Sequence, residues 1–269
     1  MAVGRTLPKW WRVYVNGYDL SGYTRTIGPL SVEYDAADVT AYMGDTVKGY
    51  LPNTAHISPG TLNAVFDNTA TTGLYALTQA TAGSQRNLMV AIGVRGAPAD
   101  GDPCFCGQFG QEAFQVTEDG GAVTATIPYT GWAADGSTLL FSQPWGTLLH
   151  ANAARTSVQG ANAGDGFDNL SGMATTTQGG FFMYHVFASS GAGHTATLSV
   201  DDGTSAADAD MDPLAGATTG SIAMPAGLSG VVALLPTATV RQYLRWQIAF
   251  GTATSVTFAC AFMRVYNQS

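Results

Sequence analysis

The residue types that most often perform chemistry in proteins are sparse in this chain and form no known motif. None of the four histidines has a metal-ligand spacing; they are His56, His150, His185 and His194. The chain has no Gly-x-Ser-x-Gly turn, phosphate loop, dinucleotide-binding glycine pattern or Cys-x-x-Cys pair. We therefore predict a non-enzymatic protein with no catalytic residues, no cofactor and no metal. His185 lies in an apolar run, which favours a place in a core or on a strand face over a ligand role.

The three cysteines are also expected to be chemically inert. They are Cys104, Cys106 and Cys260, and the odd number argues against a disulfide framework. Cys104 and Cys106 share one face of any strand that contains them, and a bridge between such neighbours would be strained. Because free cysteine is among the most frequently buried residue types, we predict three buried, reduced thiols.

Acidic residues cluster in one stretch of the second half, at Asp201, Asp202, Asp208, Asp210 and Asp212. Alternating aspartates can coordinate calcium through their oxygens, but the glycine and the terminal glutamate of an EF-hand loop are missing. The prediction is a solvated loop, with a weak cation site as the alternative.

The amino-acid composition indicates a protein with substantial hydrophobic cores and a surface that carries few charged residues. Of 269 residues, 46% are hydrophobic and only 11% are charged, against roughly 25% charged in ordinary soluble domains. Residues 1–146 carry a net charge of −5 and residues 147–269 a net charge of −3. This balance excludes the basic stripe that tight nucleic-acid binding requires. No signal-peptide core or long apolar segment is present, so we expect assembly in a cytoplasm and no membrane contact.

Apolar–polar alternation recurs along the whole chain and predicts a mainly β protein. Asn16-Gly17 between two short alternating runs predicts a tight hairpin, because both turn positions favour positive φ. A second hairpin is expected from residues 112–117 and 122–129. One helix is predicted between a cap at Asp67 or Asn68 and an end at Gly83, with Leu74 and Leu77 on one face.

Residues 35–59 separate two strand signals without any sustained periodicity of their own. Loops of this length are uncommon in compact domains and are usually functional. The segment carries apolar side chains that suit an interface, namely Val39, Tyr42, Met43, Tyr50 and Leu51. We predict an arm that contacts a neighbouring subunit, with a self-packed Ω-loop as the alternative.

A change in amino-acid composition predicts two domains, 1–146 and 147–269. Glycine and proline punctuate residues 131–146, and a stretch rich in Asn, Gly and Thr follows at 157–180. Alternation then resumes in four apolar sets, centred on residues 182–186, 196–200, 244–250 and 256–262. This spacing predicts an Ig-like or jelly-roll β-sandwich for the second domain.

Three segments of the first domain carry a family resemblance. They are residues 11–23 (WRVYVNGYDLSGY), 45–52 (DTVKGYLP) and 57–68 (ISPGTLNAVFDN). In their pattern of strands and turns they are similar to the tail tube (major tail) proteins of long-tailed bacteriophages, and the similarity extends over about residues 11–135. It implies a tail-tube-like β-sandwich or split barrel with one helix, and it leaves the second domain as an outer decoration domain.

The resemblance also implies a function in the virion tail. The expected partners are further copies of the chain in stacked hexameric rings, other tail proteins at the tube ends, and double-stranded DNA that passes without specific binding. Uncharged residues of the second hairpin would then face the lumen, namely Gln115, Thr117, Thr124 and Thr126. The alternatives are another virion component (a decoration, distal-tail or host-recognition protein) and a carbohydrate-binding module.

Overall fold

The computed structural model describes residues 6–38, 50–70, 73–79, 83–94, 96–131, 144–156, 159–160, 167–168, 175–191 and 193–265. Strands dominate these residues, and every strand pair with an assigned register is antiparallel. The predicted mainly β class, with sheets of the kind that form sandwiches, is therefore confirmed.

Twenty strands and one short helix follow one another along the described chain. The strands are β1 Trp11–Val15, β2 Tyr18–Asp19, β3 Thr24–Gly28, β4 Ser31–Asp38, β5 Tyr50–Ser58, β6 Thr61–Val65, β7 Gln85–Ile92, β8 Pro103–Gln111, β9 Gln115–Asp119, β10 Ala122–Gly131, β11 Trp145–Arg155, β12 Gln159–Gly160, β13 Phe167–Asp168, β14 Gly180–Gly191, β15 Thr195–Gly203, β16 Asp212–Thr218, β17 Ile222–Ala223, β18 Leu228–Ala233, β19 Tyr243–Phe250 and β20 Ala253–Arg264. The helix α1 spans Leu74–Thr78, and Pro8–Trp10 and Asp208–Asp210 form short 3₁₀ turns.

The chain packs into two compact units, each assembled from separate pieces of sequence. Unit 1 comprises Met1–Tyr23, Arg86–Gln108 and Ser137–Ser269, and unit 2 comprises Thr24–Gln85 and Phe109–Gly136. These limits differ from the halves 1–146 and 147–269 expected from the sequence. The physical reason is long-range pairing, because β1 pairs with β7 and β8 pairs with β11, which joins the chain start to later strands.

Unit 1 contains a large sheet in the order β18-β14-β20-β11-β8-β7-β1-β2. Two hydrogen bonds join residues that lie far apart in this strand order. The Gly17 amide donates to Nδ1 of His185 at 3.0 Å, and the Asn87 side chain donates to Ser229 Oγ at 2.9 Å. One buried cluster of this sheet contains small and sulfur-bearing side chains, among them Met89, Cys104, Cys106, Ala259, Ala261 and Met263.

A second sheet of unit 1, in the order β12-β19-β15-β16, packs against the other face of β14 and β20. Phe182, Val186 and Phe258 of the first sheet meet Leu198 and Trp246 of the second in one buried cluster. Both faces of β14 and β20 are thus buried, which explains why these strands are almost continuously apolar. The four apolar sets identified from sequence coincide with β14, β15, β19 and β20.

Unit 2 contains a four-stranded sheet in the order β3-β6-β10-β9, and the end of β10 also pairs with the last residues of β8. Leu62, Ala125 and Ile127 are fully buried on one face of this sheet. Within the same unit, the side-chain amide of Gln111 donates to the Thr78 carbonyl at 2.8 Å, which holds the end of α1 against β8.

Both predicted hairpins are present, and the second has a shorter first strand than expected. Asn16 (φ 48°) and Gly17 (φ 78°) connect β1 to β2. The second hairpin joins β9 to β10 through Gly120 and Gly121, and β9 begins at Gln115 rather than Glu112.

The helix begins later and is shorter than predicted. Its N-cap is Gly73, and Asp67 instead accepts hydrogen bonds from the amide and hydroxyl of Thr69 in the preceding turn. An aspartate can bond to a nearby backbone amide in a turn as well as at a helix start, so the cap signal was ambiguous. Leu74 is buried as expected, and the helix ends before the positive-φ residue Gly83.

The prediction that residues 35–59 lack regular structure is wrong for the described part of that segment. Residues 31–38 form β4 and residues 50–58 form β5, and the two strands pair from Ser31–Ser58 to Asp38–Tyr50. A register shift between Tyr34 and Ala36 displaces the alternation, and this irregularity conceals the strands in the sequence pattern.

The cysteines behave as expected. Cys104, Cys106 and Cys260 are all free and fully buried, and the two neighbouring sulfur atoms lie 3.6 Å apart. Burial raises the pKa of the Cys106 and Cys260 thiols well above the ordinary value, so these groups stay protonated.

Candidate functional site

The four uncharged residues proposed from the sequence lie on one face of the β9–β10 hairpin. Gln115 pairs with Thr126 and Thr117 pairs with Thr124, and directly paired residues of antiparallel strands project to the same side. The hydroxyl oxygens of Thr117 and Thr124 lie 3.2 Å apart, within hydrogen-bond distance. The register therefore brings the four predicted residues together.

The polar face continues across β6 and β3. Thr126 pairs with Asn63, and Asn63 pairs with Thr26. Asn63 accepts a hydrogen bond from the Thr126 hydroxyl at 3.2 Å and donates one to the Thr26 hydroxyl at 3.1 Å. We call these six residues the polar ladder: Thr26, Asn63, Gln115, Thr117, Thr124 and Thr126. None of them is charged.

Asn63 and Thr26 were not among the residues predicted from the sequence. The signal for Asn63 was present, because residues 61–65 alternate and Asn63 stands opposite to the buried residues Leu62 and Ala64. Thr26 had no such signal, since a register shift between Thr24 and Thr26 interrupts the alternation of β3.

The opposite face of the same sheet is largely apolar, although the exposed residue Glu118 pairs with Val123 on it, and part of it is exposed. Ala125 and Ile127 are buried, whereas Val116 and Val123 of the hairpin are 47% and 46% exposed. In the same unit, three aromatic rings form a row with centroid separations of 5.8 Å, namely Phe66, Tyr75 and Phe114. The hairpin thus presents uncharged polar side chains on one side and exposed valines on the other.

Both borders of this sheet are open within the described part of unit 2. β3 pairs with β6 alone, and β9 pairs with β10 alone. An open border leaves backbone N–H and C=O groups available for pairing with another chain.

The residues proposed for the intersubunit contact are only partly described. Tyr50 and Leu51 lie in β5, where their backbones pair with Asp38 and Ala37. Val39, Tyr42 and Met43 lie outside the described residues. Their role stays a prediction.

Three aspartates of the acidic stretch bind arginines. Arg245 binds Asp201 at 2.8 Å, and both side chains are almost fully buried. Arg241 binds Asp202 and Asp212, each at 3.0 Å. Asp210 accepts hydrogen bonds from the Ser205 amide and the Thr204 hydroxyl, and these bonds lower the pKa of its carboxyl. Among the described residues, no group of three His, Cys, Asp or Glu side chains is arranged to hold a metal ion.

Two of the histidines take structural positions. His150 stacks on Trp246 with ring centroids 4.5 Å apart, and the Arg155 guanidinium lies 4.9 Å from the centroid of the same Trp246 ring. His185 is fully buried, as predicted. No helix in the described part of the chain is long and apolar enough to span a membrane.

Fold and site together define an antiparallel β protein with a row of six uncharged polar residues across one sheet. No protein-family model and no curated protein matches the sequence. Two solved phage structures are similar over most of the chain. One is the Dit protein of phage SPP1, described as a paradigm of the hub adsorption apparatus in phages that infect Gram-positive bacteria, with 12% identity and a TM-score of 0.32 over 94% of this chain and 99% of that one.

The other is a chain of the phage p2 baseplate in its activated conformation with strontium. It has 7% identity and a TM-score of 0.34, over 95% of this chain and 98% of that one. Similarity at this level carries no functional argument, so the function of the chain must be inferred from its own residues.

Proposed function

We propose that this chain is a non-catalytic structural protein of a phage tail, which self-associates through unit 2 into rings that stack as a tail tube. The observation that carries the proposal is the polar ladder, a row of six uncharged polar residues on a sheet with two open borders. The sequence resemblance of residues 11–135 to tail tube proteins supports it independently.

Ring formation follows from the open borders of the sheet. If β3 of one copy pairs with β9 of the next, the contact is head-to-tail and every copy leaves one border for the following one. Such an arrangement is complete only when it closes as a ring, and closure removes the exposed edges that would otherwise favour uncontrolled aggregation.

The chemistry of the polar ladder suits a lumen for DNA. Hydroxyl and amide groups keep the surface hydrated, while a face without lysine or arginine avoids favourable contacts with phosphates. The net charge of −8 of the whole chain also disfavours phosphate binding, at longer range. DNA would therefore pass without being retained.

A test of assembly is analytical ultracentrifugation of the full chain followed by negative-stain microscopy. We expect rings or tubes at high concentration. A Val116→Glu, Val123→Glu variant should assemble poorly, because both valines are exposed in the single chain and would be covered by a neighbour. Val94→Glu, at an exposed valine of unit 1, is the matched control. A persistent monomer of 27.9 kDa with no rings in micrographs would contradict the proposal.

A distal-tail component is the second candidate, and the make-up of unit 1 favours it. Unit 1 incorporates the first residues of the chain and residues 86–108, so it is not simply appended after the ring-forming unit. A component at the tail tip needs a single ring, whereas a tube needs unlimited stacking. Isolated rings that never stack, under conditions that saturate assembly, would select the distal-tail role.

A further inference from the structure

Residues 12–23 line an open cleft that the proposed function does not use. Its volume is about 530 Å³, and its lining residues are Arg12, Asp19, Ser21, Gly22 and Tyr23. All five belong to unit 1. The cleft combines a cation, an anion, a hydroxyl and an aromatic residue, and ligand sites commonly fix a ligand with a few polar groups of this kind.

The β1–β2 hairpin explains why Arg12 and Asp19 line the same cleft. Tyr14 pairs directly with Asp19, so these two residues project to one side of the hairpin. Arg12 precedes Tyr14 by two residues in β1 and therefore shares that side. Ser21 Oγ accepts a hydrogen bond from the Val13 amide at 2.9 Å, which fixes the chain after β2 beside β1.

Arg12 is held in place but keeps donors available. Its Nη1 atom donates to the carbonyl oxygens of Lys9 at 3.2 Å and Trp11 at 2.9 Å. A guanidinium has five N–H groups, so the three on Nε and Nη2 are left for other acceptors. Within the described part of the chain, no carboxylate forms an ion pair with Arg12.

Asp19 is likewise positioned with acceptor capacity to spare. Oδ1 accepts from the Ser21 amide at 2.9 Å, and Oδ2 accepts from the Asn152 side chain at 3.3 Å. An ionised carboxylate offers about four lone-pair sites, so roughly two are unused. The cleft thus presents N–H donors and carboxylate acceptors side by side.

We propose that this cleft binds a neutral saccharide. A sugar hydroxyl both donates and accepts, so adjacent hydroxyls can accept from Arg12 and donate to Asp19. Arg12 and Asp19 have opposite charges, so the attraction of one for an ion is offset by the repulsion from the other, whereas a neutral ligand with adjacent hydroxyls can bond to both. Tyr23 adds an aromatic residue against which the apolar C–H side of a pyranose can pack. An open cleft also suits one unit of a longer glycan at a surface.

The primary experiment is an NMR titration of the full chain with glucose, galactose and N-acetylglucosamine at pH 7. Glucuronic acid and glucosamine serve as charged comparators. We expect millimolar binding of at least one neutral sugar, with amide shifts centred on residues 19–23, and weaker binding of both charged sugars. If no sugar of the panel shifts these amides at a concentration on the order of 100 mM, well above a millimolar Kd, the proposal is wrong.

Two variants test the charge argument, and each should weaken neutral sugars roughly tenfold because it removes a hydrogen bond to a charged group. Arg12→Gln should favour glucosamine over glucuronic acid relative to the native chain, and Asp19→Asn should do the reverse. Arg241→Gln is the matched control for the first variant. Unchanged affinities in both variants would overturn the assignment, whatever the outcome of the assembly experiments.

Folding and binding are separated by measuring the melting temperature of each variant. Asp19→Asn retains an oxygen that can accept from the Ser21 amide, so the hairpin should persist. If a variant nevertheless unfolds, the location of the amide shifts in the native chain tests the binding site. Shifts confined to residues outside 12–23 would show that the sugar binds elsewhere than in the cleft.

Discussion

At the residue scale, His185 is the titratable group that the fold constrains most. Its side chain is fully buried, Tyr14 and Phe187 lie close to its ring, and its Nδ1 atom accepts from the Gly17 amide. An acceptor at Nδ1 places the proton of the neutral ring on Nε2. Burial lowers the pKa of His185 from 6.5 to about 3. The folded chain therefore strongly favours the uncharged imidazole.

This depressed pKa predicts acid sensitivity of unit 1. The unfolded chain takes up a proton near pH 6.5 and the folded chain only near pH 3, so stability falls as the pH drops through this window. Each pKa unit corresponds to about 1.4 kcal/mol, so the loss reaches a few kcal/mol.

The measurement is the denaturation midpoint of the native chain and of His185→Gln between neutral pH and a pH just above the folded-state pKa. Glutamine can accept from the Gly17 amide and does not titrate, so its pH dependence should be flatter. His56→Gln, at an exposed histidine, is the control. If the denaturation midpoint falls equally steeply with decreasing pH in His185→Gln and in the native chain, the prediction is contradicted.

At the element scale, hairpin turns place the functional strands. In the β1–β2 turn, Gly17 combines positive φ with a close approach, because a Cβ atom there would lie 2.5 Å from the Gly227 carbonyl carbon. Gly216 has a nearly equal φ of +83° and no atom within 4 Å of a Cβ. The two glycines therefore differ in surroundings and not in backbone conformation.

We predict that Gly17→Ala destabilises the chain much more than Gly216→Ala. The change at Gly216 should cost about 1 kcal/mol, the ordinary strain of a left-handed alanine. At Gly17 the backbone of Gly227 and Leu228 must move as well, which should raise the cost to about 3 kcal/mol or more. Chemical denaturation of both variants measures the difference, and similar midpoints would exclude a tight approach of the turn.

The polar ladder supports a prediction about DNA passage. Thr124→Lys with Thr126→Lys adds two cations to the proposed lumen face, so phosphate contacts should slow DNA release from particles. Assembly should be little affected, since the buried residues Ala125 and Ile127 are unchanged. Thr124→Ser with Thr126→Ser keeps the hydroxyl groups and is the control. Normal ejection kinetics in the lysine variant would place the ladder elsewhere than the lumen.

At the scale of the whole molecule, the two units are interleaved along the chain. β8 runs from unit 1 into unit 2, with the division after Gln108. A fragment ending at Gly146 therefore retains β7 and β8 but loses the strands that cover Met89 and Cys104. Contiguous truncation is a poor way to isolate either unit.

We predict that unit 2 folds when residues 86–108 are replaced by a short Gly-Ser linker in a fragment covering 24–136. The two ends left by this replacement can be joined because their flanking segments are adjacent. The backbone amide of Gln111 donates to the Ser84 carbonyl at 3.0 Å. Circular dichroism and cooperative unfolding should show a folded β protein. The fragment 1–146 is the comparison, and we expect it to aggregate through its uncovered apolar face. An unfolded 24–136 fragment together with a soluble, folded 1–146 fragment would support the boundary near Gly146 instead.

The contact between successive rings is expected to involve Tyr42 and Tyr50. Aromatic anchors usually carry much of the energy at protein interfaces. Tyr42→Ala with Tyr50→Ala should leave the melting temperature of the single chain nearly unchanged and block stacking. A lower melting temperature together with full-length tubes in micrographs would indicate an Ω-loop or hairpin that packs on its own subunit.

The sequence by itself determined the local features of this protein. Alternation located β10, β14, β15, β19 and β20, because one or both faces of each strand are buried. Asn16-Gly17 and Gly120-Gly121 determined two turns, since they supply positive φ. The common face of Gln115, Thr117, Thr124 and Thr126 was also predictable, because side-chain direction in paired strands follows from spacing alone.

Only the tertiary structure decided which distant segments pack together. Pairing of β1 with β7 and of β8 with β11 depends on backbone hydrogen bonds, which leave no trace in residue type, so the interleaved units could not be read from composition. The same holds for the place of Thr26 in the polar ladder. A register shift in β3 displaced the alternation there, so strand pairing alone placed Thr26, and a second shift concealed β4 in the sequence.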